Sequence, residues 1–164
     1  MSENGMYDLI IVGGGPAGLT AGLYAMRAAL KAVLIEKGVA GGQVAISDSV
    51  ENYPGIEEIS GFDLSNKFLQ HARAYDLEVI NQEVVAIEPG IEHHTVQLAN
   101  GVSLRGHAVI LAAGGSPRKL NIPGESEYYG KGVSYCATCD GFFFRGKTVV
   151  VVGGGDTAME EALY

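Results

Sequence analysis

Tyr7-Asp8-Leu9-Ile10-Ile11-Val12-Gly13-Gly14-Gly15-Pro16-Ala17-Gly18 is the stretch whose reading decides the fold. An apolar, β-branched run ends directly in three glycines and a proline, the pattern of a buried strand meeting a tight turn. From residue 17 to about 29 strong helix formers follow, with Leu19, Leu23 and Met26 at helical spacing. Residues 32–36 form a second apolar run, so a complete strand–helix–strand unit is predicted, with a right-handed crossover. Within it, Gly13-x-Gly15-x-x-Gly18 places a glycine where the chain must turn, one where backbone must approach a ligand, and one where helix must sit close on strand. The helix N-terminus offers N–H groups and a positive dipole to phosphate. Glu36, ending the second strand, is placed to accept hydrogen bonds from a ribose diol. The spacing alone is weak; with strand, helix and acid all present it reads as a dinucleotide site.

Working outward, Gly38 to Gly42 and Gln43 form a glycine-bearing loop, and Asn52-Tyr53-Pro54-Gly55 a turn. Phe62, Leu64, Phe68, Leu69 and Ala72 recur at helical intervals, predicting a helix over 62–74. Short strands are predicted at 78–80 and 83–87, and a hairpin at 95–98 and 102–104 around Asn100-Gly101. Residues 109–113 read as a buried strand ending in Gly114-Gly115. Ser116-Pro117 marks the predicted domain boundary, giving domains of residues 1–116 and 117–164. Later, residues 148–152 predict a further strand running into Gly153-Gly154-Gly155, and a helix begins at Asp156. The strand–glycine–helix pattern therefore occurs twice. Because the chain stops inside that last helix, the expectation is a truncated piece of a longer protein. The expected fold is α/β: a doubly wound, Rossmann-like domain with an added β-meander, then the start of a second such domain.

Composition narrows the function. The 164 residues are 47% hydrophobic and 18% charged, enough apolar content for a packed core. The net charge of −8 and the lack of a Lys/Arg cluster argue against nucleic acid. The longest apolar runs have strand length, so no membrane span is expected, and the polar first residues do not resemble a signal peptide. A cytoplasmic location follows as the expectation. The 2 cysteines lie together in Cys136-Ala137-Thr138-Cys139-Asp140. In a reducing compartment that spacing suggests redox or metal chemistry. Cysteines three apart can close a disulfide; two inert buried thiols, or a zinc site completed by His93-His94, are the alternatives, and the missing second C-x-x-C speaks against zinc. Asp140 reads either as a helix-start carboxylate or as a proton carrier for a thiol–disulfide step. Gly153-x-Gly155-x-x-Ala158 repeats the nucleotide pattern, which suggests two dinucleotides, one stored and one exchanged.

The Gly-Gly-Gly-Pro-Ala-Gly opening, Gly41-Gly42-Gln43, Val50-Glu51-Asn52-Tyr53-Pro54-Gly55, Ala112-Ala113-Gly114, Cys136-Ala137-Thr138-Cys139-Asp140-Gly141 and Gly153-Gly154-Gly155-Asp156-Thr157-Ala158 occur in that order. Together they resemble the low-molecular-weight bacterial thioredoxin reductases over essentially the whole chain. The resemblance implies FAD on Gly13, Gly14, Gly15, Pro16, Ala17 and Glu36, with Lys37, Gly41, Gly42, Gln43, Asn52, Val84, Ala113 and Gly114 contributing. It implies NADPH on a domain beginning at Gly153, Gly155, Asp156 and Thr157. Cys139 would lie nearest the flavin, Cys136 would attack the partner disulfide, and Asp140 would be the acid/base. A thioredoxin-like small redox protein is the implied partner and a homodimer the implied assembly, with no metal. The basic residues that select NADPH and the family's C-terminal FAD segment fall outside this sequence, so NADH, ferredoxin or a deazaflavin as donor stays open. So does a non-catalytic FAD-binding fragment.

Overall fold

A computed structural model describes residues 5–163. It divides into two compact units, Met1–Ser49 with Ile59–Gly115, and Val50–Glu58 with Ser116–Tyr164.

The first unit runs β1 (Met6–Val12), α1 (Pro16–Arg27), β2 (Ala32–Glu36), a 3-10 turn (Gly42–Ile46), α2 (Gly61–Arg73), β3 (Glu78–Asn81), β4 (Val84–Glu88), β5 (His94–Leu98) and β6 (Ser103–Leu111). Its strands form one six-stranded sheet in the order β3-β2-β1-β6-β5-β4. The β3-β2-β1-β6 part is parallel and the β6-β5-β4 part antiparallel. Side chains alternate across a strand, so the apolar runs of β1 and β2 feed two cores at once. Leu9, Ile11 and Leu34 pack with Leu19 and Ala25 of α1, Ala72 of α2 and Leu77. Ile10, Val33 and Ile35 pack with Val96 and Leu98 of β5. Burying each of the leucine, isoleucine and valine side chains contributes about 1.5–3 kcal/mol. Helix α2 starts at Ser60, whose hydroxyl accepts the Asp63 N–H at 3.0 Å, a cap that satisfies one otherwise unpaired donor.

Three sequence expectations are corrected here. A doubly wound sheet has helices on both faces, yet every residue of the second core lies on a strand. Val96 and Leu98 of β5, with the partly buried Val84 and Ile87 of β4 and Leu104 of β6, pack against Ile10, Val33 and Ile35 there. The strands predicted at 102–104 and 109–113 are one nine-residue strand, β6. Exposed Arg105 and His107 broke the apolar pattern between them. Ladder pairing overrides that break, because residues 103–106 pair with β5 while 105–111 pair with β1. Gly106 sits at the crossover, where a Cβ would come within 2.9 Å of Ile10 Cγ1. The far end of β6 is not buried as expected: Leu111 is 68% exposed.

The second unit holds α3 (Ala137–Asp140), a 3-10 turn (Gly141–Phe144) and α4 (Asp156–Leu163). Residues 148–152, predicted as a strand, are not one. Val150 is 83% exposed and Val152 64%. A parallel strand exists only where neighbours take up its N–H and C=O groups, and among the described residues this unit contains no strand to do so. Among the described residues, every buried apolar side chain lies in the first unit. Among the described residues no helix is long and apolar enough to cross a membrane.

Candidate functional site

The glycine turn after β1 is built against its surroundings on three sides. Gly13, at φ +108°, donates its N–H to Ile35 O at 2.8 Å, and a Cβ there would fall 2.2 Å from Ala112 O. A Cβ on Gly18 would fall 1.8 Å from Gly13 O, so α1 rests directly on the turn. On Gly14 it would meet the Glu36 side chain at 2.9 Å. The fourth side is open: a Cβ on Gly15 would find only Gly42 Cα, at 3.9 Å. Gly41 N–H donates to Gly14 O at 2.7 Å and draws the second glycine loop beside the first. Helix α1 begins at Gly15 without a side-chain cap and with Pro16 in its first turn, so its N-terminal dipole faces a slot walled by glycine backbone.

Glu36 organises this turn. One carboxylate oxygen accepts the Gly14 N–H at 2.6 Å and the other the Gly38 N–H at 2.8 Å. Each oxygen keeps a further lone pair, so the group holds both loops and can still accept from a diol. The residues present therefore fit a dinucleotide: backbone and a helix N-terminus for pyrophosphate, a carboxylate for ribose.

The other sequence-predicted residues of this site are placed as follows. Pro16 and Ala17 open α1, and exposed Gln43 lies in the 3-10 turn. Ala113 and Gly114 follow β6, directly after the Ala112 carbonyl beneath Gly13. Lys37 follows β2, its Nζ lying 3.8 Å from Glu83 Oε1 in an exposed ion pair. Val84 begins β4 and packs against the strand-lined core. Asn52 belongs to the 50–58 segment of the second unit.

In the second unit Cys136 and Cys139 are joined by a disulfide, with Cα atoms 5.3 Å apart. Cys136 is the extended N-cap residue of α3, at φ −153°, and Cys139 lies within its single turn. The Thr138 hydroxyl donates to Cys136 Sγ at 3.3 Å, the sulfur having no proton to give. Asp140 is half-buried at the end of the turn, and its N–H returns to Cys136 O at 3.1 Å.

Three side chains that sequence reading missed hold this loop. The Ser134 hydroxyl donates to Asp140 Oδ2 at 2.5 Å and accepts the Cys136 N–H at 3.0 Å. Glu161 of α4 accepts the Ala137 N–H. Glu125, 4% exposed, accepts from Leu120 N, Asn121 N and the Tyr135 hydroxyl at 2.8, 2.6 and 2.5 Å. These bonds favour the ionised carboxylate: the Tyr135 hydroxyl, then the Leu120 N–H, hold Glu125 below its ordinary range. The same carboxylate pushes Tyr135 up to about 12. The residue before Cys136 is thus anchored to the segment around residue 120. Only partner-seeking polar residues near the cysteines could have signalled this, and a lone Ser, Tyr or Glu carries no spacing rule.

At the second glycine pattern, Gly153 takes φ +145°, where a Cβ would lie 3.0 Å from Ala158 Cβ. A Cβ on Gly154 or Gly155 would meet nothing within 4 Å. Asp156 and Thr157 open α4. Among the described residues no three His, Cys, Asp or Glu side chains gather as a metal site would require.

Comparison with known proteins agrees with this layout. The family model for pyridine nucleotide-disulphide oxidoreductases matches residues 7–164. The chain is similar to a thioredoxin reductase of Bacillus subtilis, 49% identical over 100% of this chain and 52% of the relative. One from Helicobacter pylori is 48% identical over 97% of this chain and 52% of its own length. Among solved structures, a Streptococcus pyogenes thioredoxin reductase aligns with TM-score 0.92 at 45% identity, covering 99% of this chain and 53% of that one. One from Giardia duodenalis aligns at TM-score 0.91 and 39% identity, covering 97% and 52%. The chain spans about half the length of the curated relatives it matches.

Proposed function

Because the chain belongs to the pyridine nucleotide-disulphide oxidoreductases, we propose that it is the FAD- and disulfide-bearing part of an enzyme of the thioredoxin reductase type. Electrons would pass from NADPH through FAD to the Cys136–Cys139 disulfide and on to a thioredoxin-like protein. The observation that carries this reading is the Cys136–Cys139 disulfide followed by Asp140, in a chain that also holds a glycine-walled dinucleotide cradle. The Rossmann-like fold and the thioredoxin reductase relatives support it.

Gly13, Gly14, Gly15, Pro16, Ala17, Gly41 and Gly42 would hold the FAD pyrophosphate and Glu36 its ribose, with Gln43, Asn52, Ala113 and Gly114 as further contacts. Bound FAD would supply two-electron chemistry, accepting hydride from a nicotinamide and releasing an electron pair to a disulfide. The chain's own residues then act on sulfur and protons. Opening the Cys136–Cys139 bond takes up two electrons and two protons and leaves two thiols. The Cys136 thiolate attacks a partner disulfide and forms a mixed disulfide; Cys139 attacks Cys136 Sγ, restores the intramolecular bond and releases the partner as a dithiol. Asp140 carries a proton to and from the sulfurs in these steps. The assignment of Cys139 to the flavin side and Cys136 to the partner side rests on the resemblance. So does NADPH at Gly153, Gly155, Asp156 and Thr157, and so do a homodimer and a cytoplasmic location.

Replacing each cysteine tests the reading. In the flavin-loaded protein, Cys136→Ser and Cys139→Ser should both bleach the flavin with NADPH yet turn over no thioredoxin-type disulfide. Only Cys139→Ser should trap that substrate as a mixed disulfide. Trapping on Cys139 instead would reverse the two roles. Turnover surviving either substitution would overturn the dithiol mechanism.

A further inference from the structure

We infer that Ser134 is a positioning residue for the proton-carrying carboxylate of Asp140; this rests on the acid/base role proposed above for Asp140. Ser134 lies two residues before the first cysteine, and no spacing rule assigns it a task. Its hydroxyl carries one proton and two lone pairs. Two acceptors are within reach: Cys136 O at 3.2 Å and Asp140 Oδ2 at 2.5 Å. The nearer, ionised oxygen takes the proton, since a charge-assisted hydrogen bond is the shorter and stronger one, and Cys136 O already receives the Asp140 N–H at 3.1 Å. The Ser134 lone pair accepts the Cys136 N–H at 3.0 Å. Cys136 N–H, the Ser134 hydroxyl and the Asp140 carboxylate thus form one chain across the mouth of the disulfide loop. Among the described residues Ser134 is the only hydrogen-bond donor on that carboxylate. Without it, the half-buried Asp140 side chain is free to swing to water and leave the loop.

The step served is transfer of one proton between the Asp140 carboxyl and a cysteine sulfur as the S–S bond opens or re-forms. The Ser134 proton stays on its own oxygen throughout. Ser134 is exposed, so removing its hydroxyl leaves no buried hole, and the loop keeps its disulfide and the Asp140 N–H to Cys136 O bond.

The test is a double-mutant cycle in the flavin-loaded protein with Ser134→Ala, Asp140→Asn and both together, and with Ser134→Thr as the hydroxyl-keeping control. Two rates are read: turnover of a thioredoxin-type disulfide and bleaching of the flavin by NADPH. Ser134→Ala should lower kcat about tenfold, the scale of one hydrogen bond to a charged group. KM for the protein substrate and the bleaching rate should stay at wild-type values, and Ser134→Thr should recover most of the turnover. In the Asp140→Asn background the Ser134→Ala change should cost nothing further, because the group it serves is gone. An equal loss in both backgrounds would show that Ser134 merely shapes the loop and would overturn the inference, as would wild-type turnover in Ser134→Ala. Wild-type turnover in Asp140→Asn would instead remove the acid/base role itself, and the inference with it.

Discussion

After β1, the residues from Gly13 to Gly18 are locked between the end of β6, the Glu36 carboxylate and α1, whereas Gly153, Gly154 and Gly155 follow a segment that forms no strand among the described residues, and a Cβ on Gly154 or Gly155 would meet nothing within 4 Å. The two stretches share a local pattern: an apolar run, three glycines, a helix. At the third motif position the first has glycine because a Cβ would strike Gly13 O at 1.8 Å; the second carries Ala158 and accommodates its methyl. The difference teaches that a nucleotide turn is a property of a sheet as much as of glycines. β1 has β2 on one side and β6 on the other, so its end is fixed and the turn must be tight. Residues 148–152 have the right composition and, among the described residues, no strand beside them.

The largest expected effect breaks the tight side of the comparison. Gly18→Val should cost about 3 kcal/mol or more, because the clashing atom is backbone and cannot rotate away. The cooperative unfolding transition of the first unit should drop or vanish in thermal denaturation; an unchanged midpoint would mean that α1 does not rest on the turn.

Glu36→Ala comes next. It removes the acceptor of two backbone N–H groups and the expected ribose contact, so FAD should bind about 1–3 kcal/mol more weakly. Flavin retained as in wild type after exhaustive dialysis would reduce Glu36 to a loop brace.

A smaller effect sharpens the second unit, where Glu125 and Tyr135 take the place of an apolar core. Glu125 is held below its ordinary 4.5, so its contribution is present above that pH and is lost as pH falls through the lowered value. Tyr135 is raised from 10.0 to about 12, so its contribution is present below pH 10.0 and is lost as pH rises through about 12. The unfolding midpoint of the second unit should fall beyond each limit, because each loses one side of the Glu125–Tyr135 bond. Tyr135→Phe should lower the midpoint at neutral pH and flatten the alkaline fall; an unchanged pH profile would show that the pair does not brace this unit.

Smallest is Gly155→Ala, which should change stability by less than about 0.5 kcal/mol, since no atom lies within 4 Å of the added methyl. A large loss on urea denaturation would show that the second turn is as tightly supported as the first.

Much of the first unit was legible because its signals are local. The apolar runs at residues 7–12 and 32–36, the helical spacing of Phe62, Leu64, Phe68, Leu69 and Ala72, and Asn100-Gly101 before β6 each act over a few residues. Reading failed where pairing overrode local pattern. Arg105 and His107 look like a strand break, yet two flanking strands carry β6 through them. Val149 to Val152 look like a strand, yet among the described residues no strand pairs with them. At the candidate sites the glycines, Glu36, the cysteine pair and Asp140 stood out by type and spacing. Lys37 stood out by its place after Glu36, and its pairing with Glu83, in the loop before β4, came from the fold alone.

By itself, then, the sequence determined which residues carry chemistry and which apolar runs seek burial, since residue type and period are inherited from the chain. Tertiary structure alone decided that Glu36 ties Gly14 to Gly38, that Ser134 reaches Asp140, and that Glu125 receives Tyr135. The physical reason is that a hydrogen bond needs its partner at about 3 Å and in line. Nothing in a linear order of residues sets that distance until the backbone has closed.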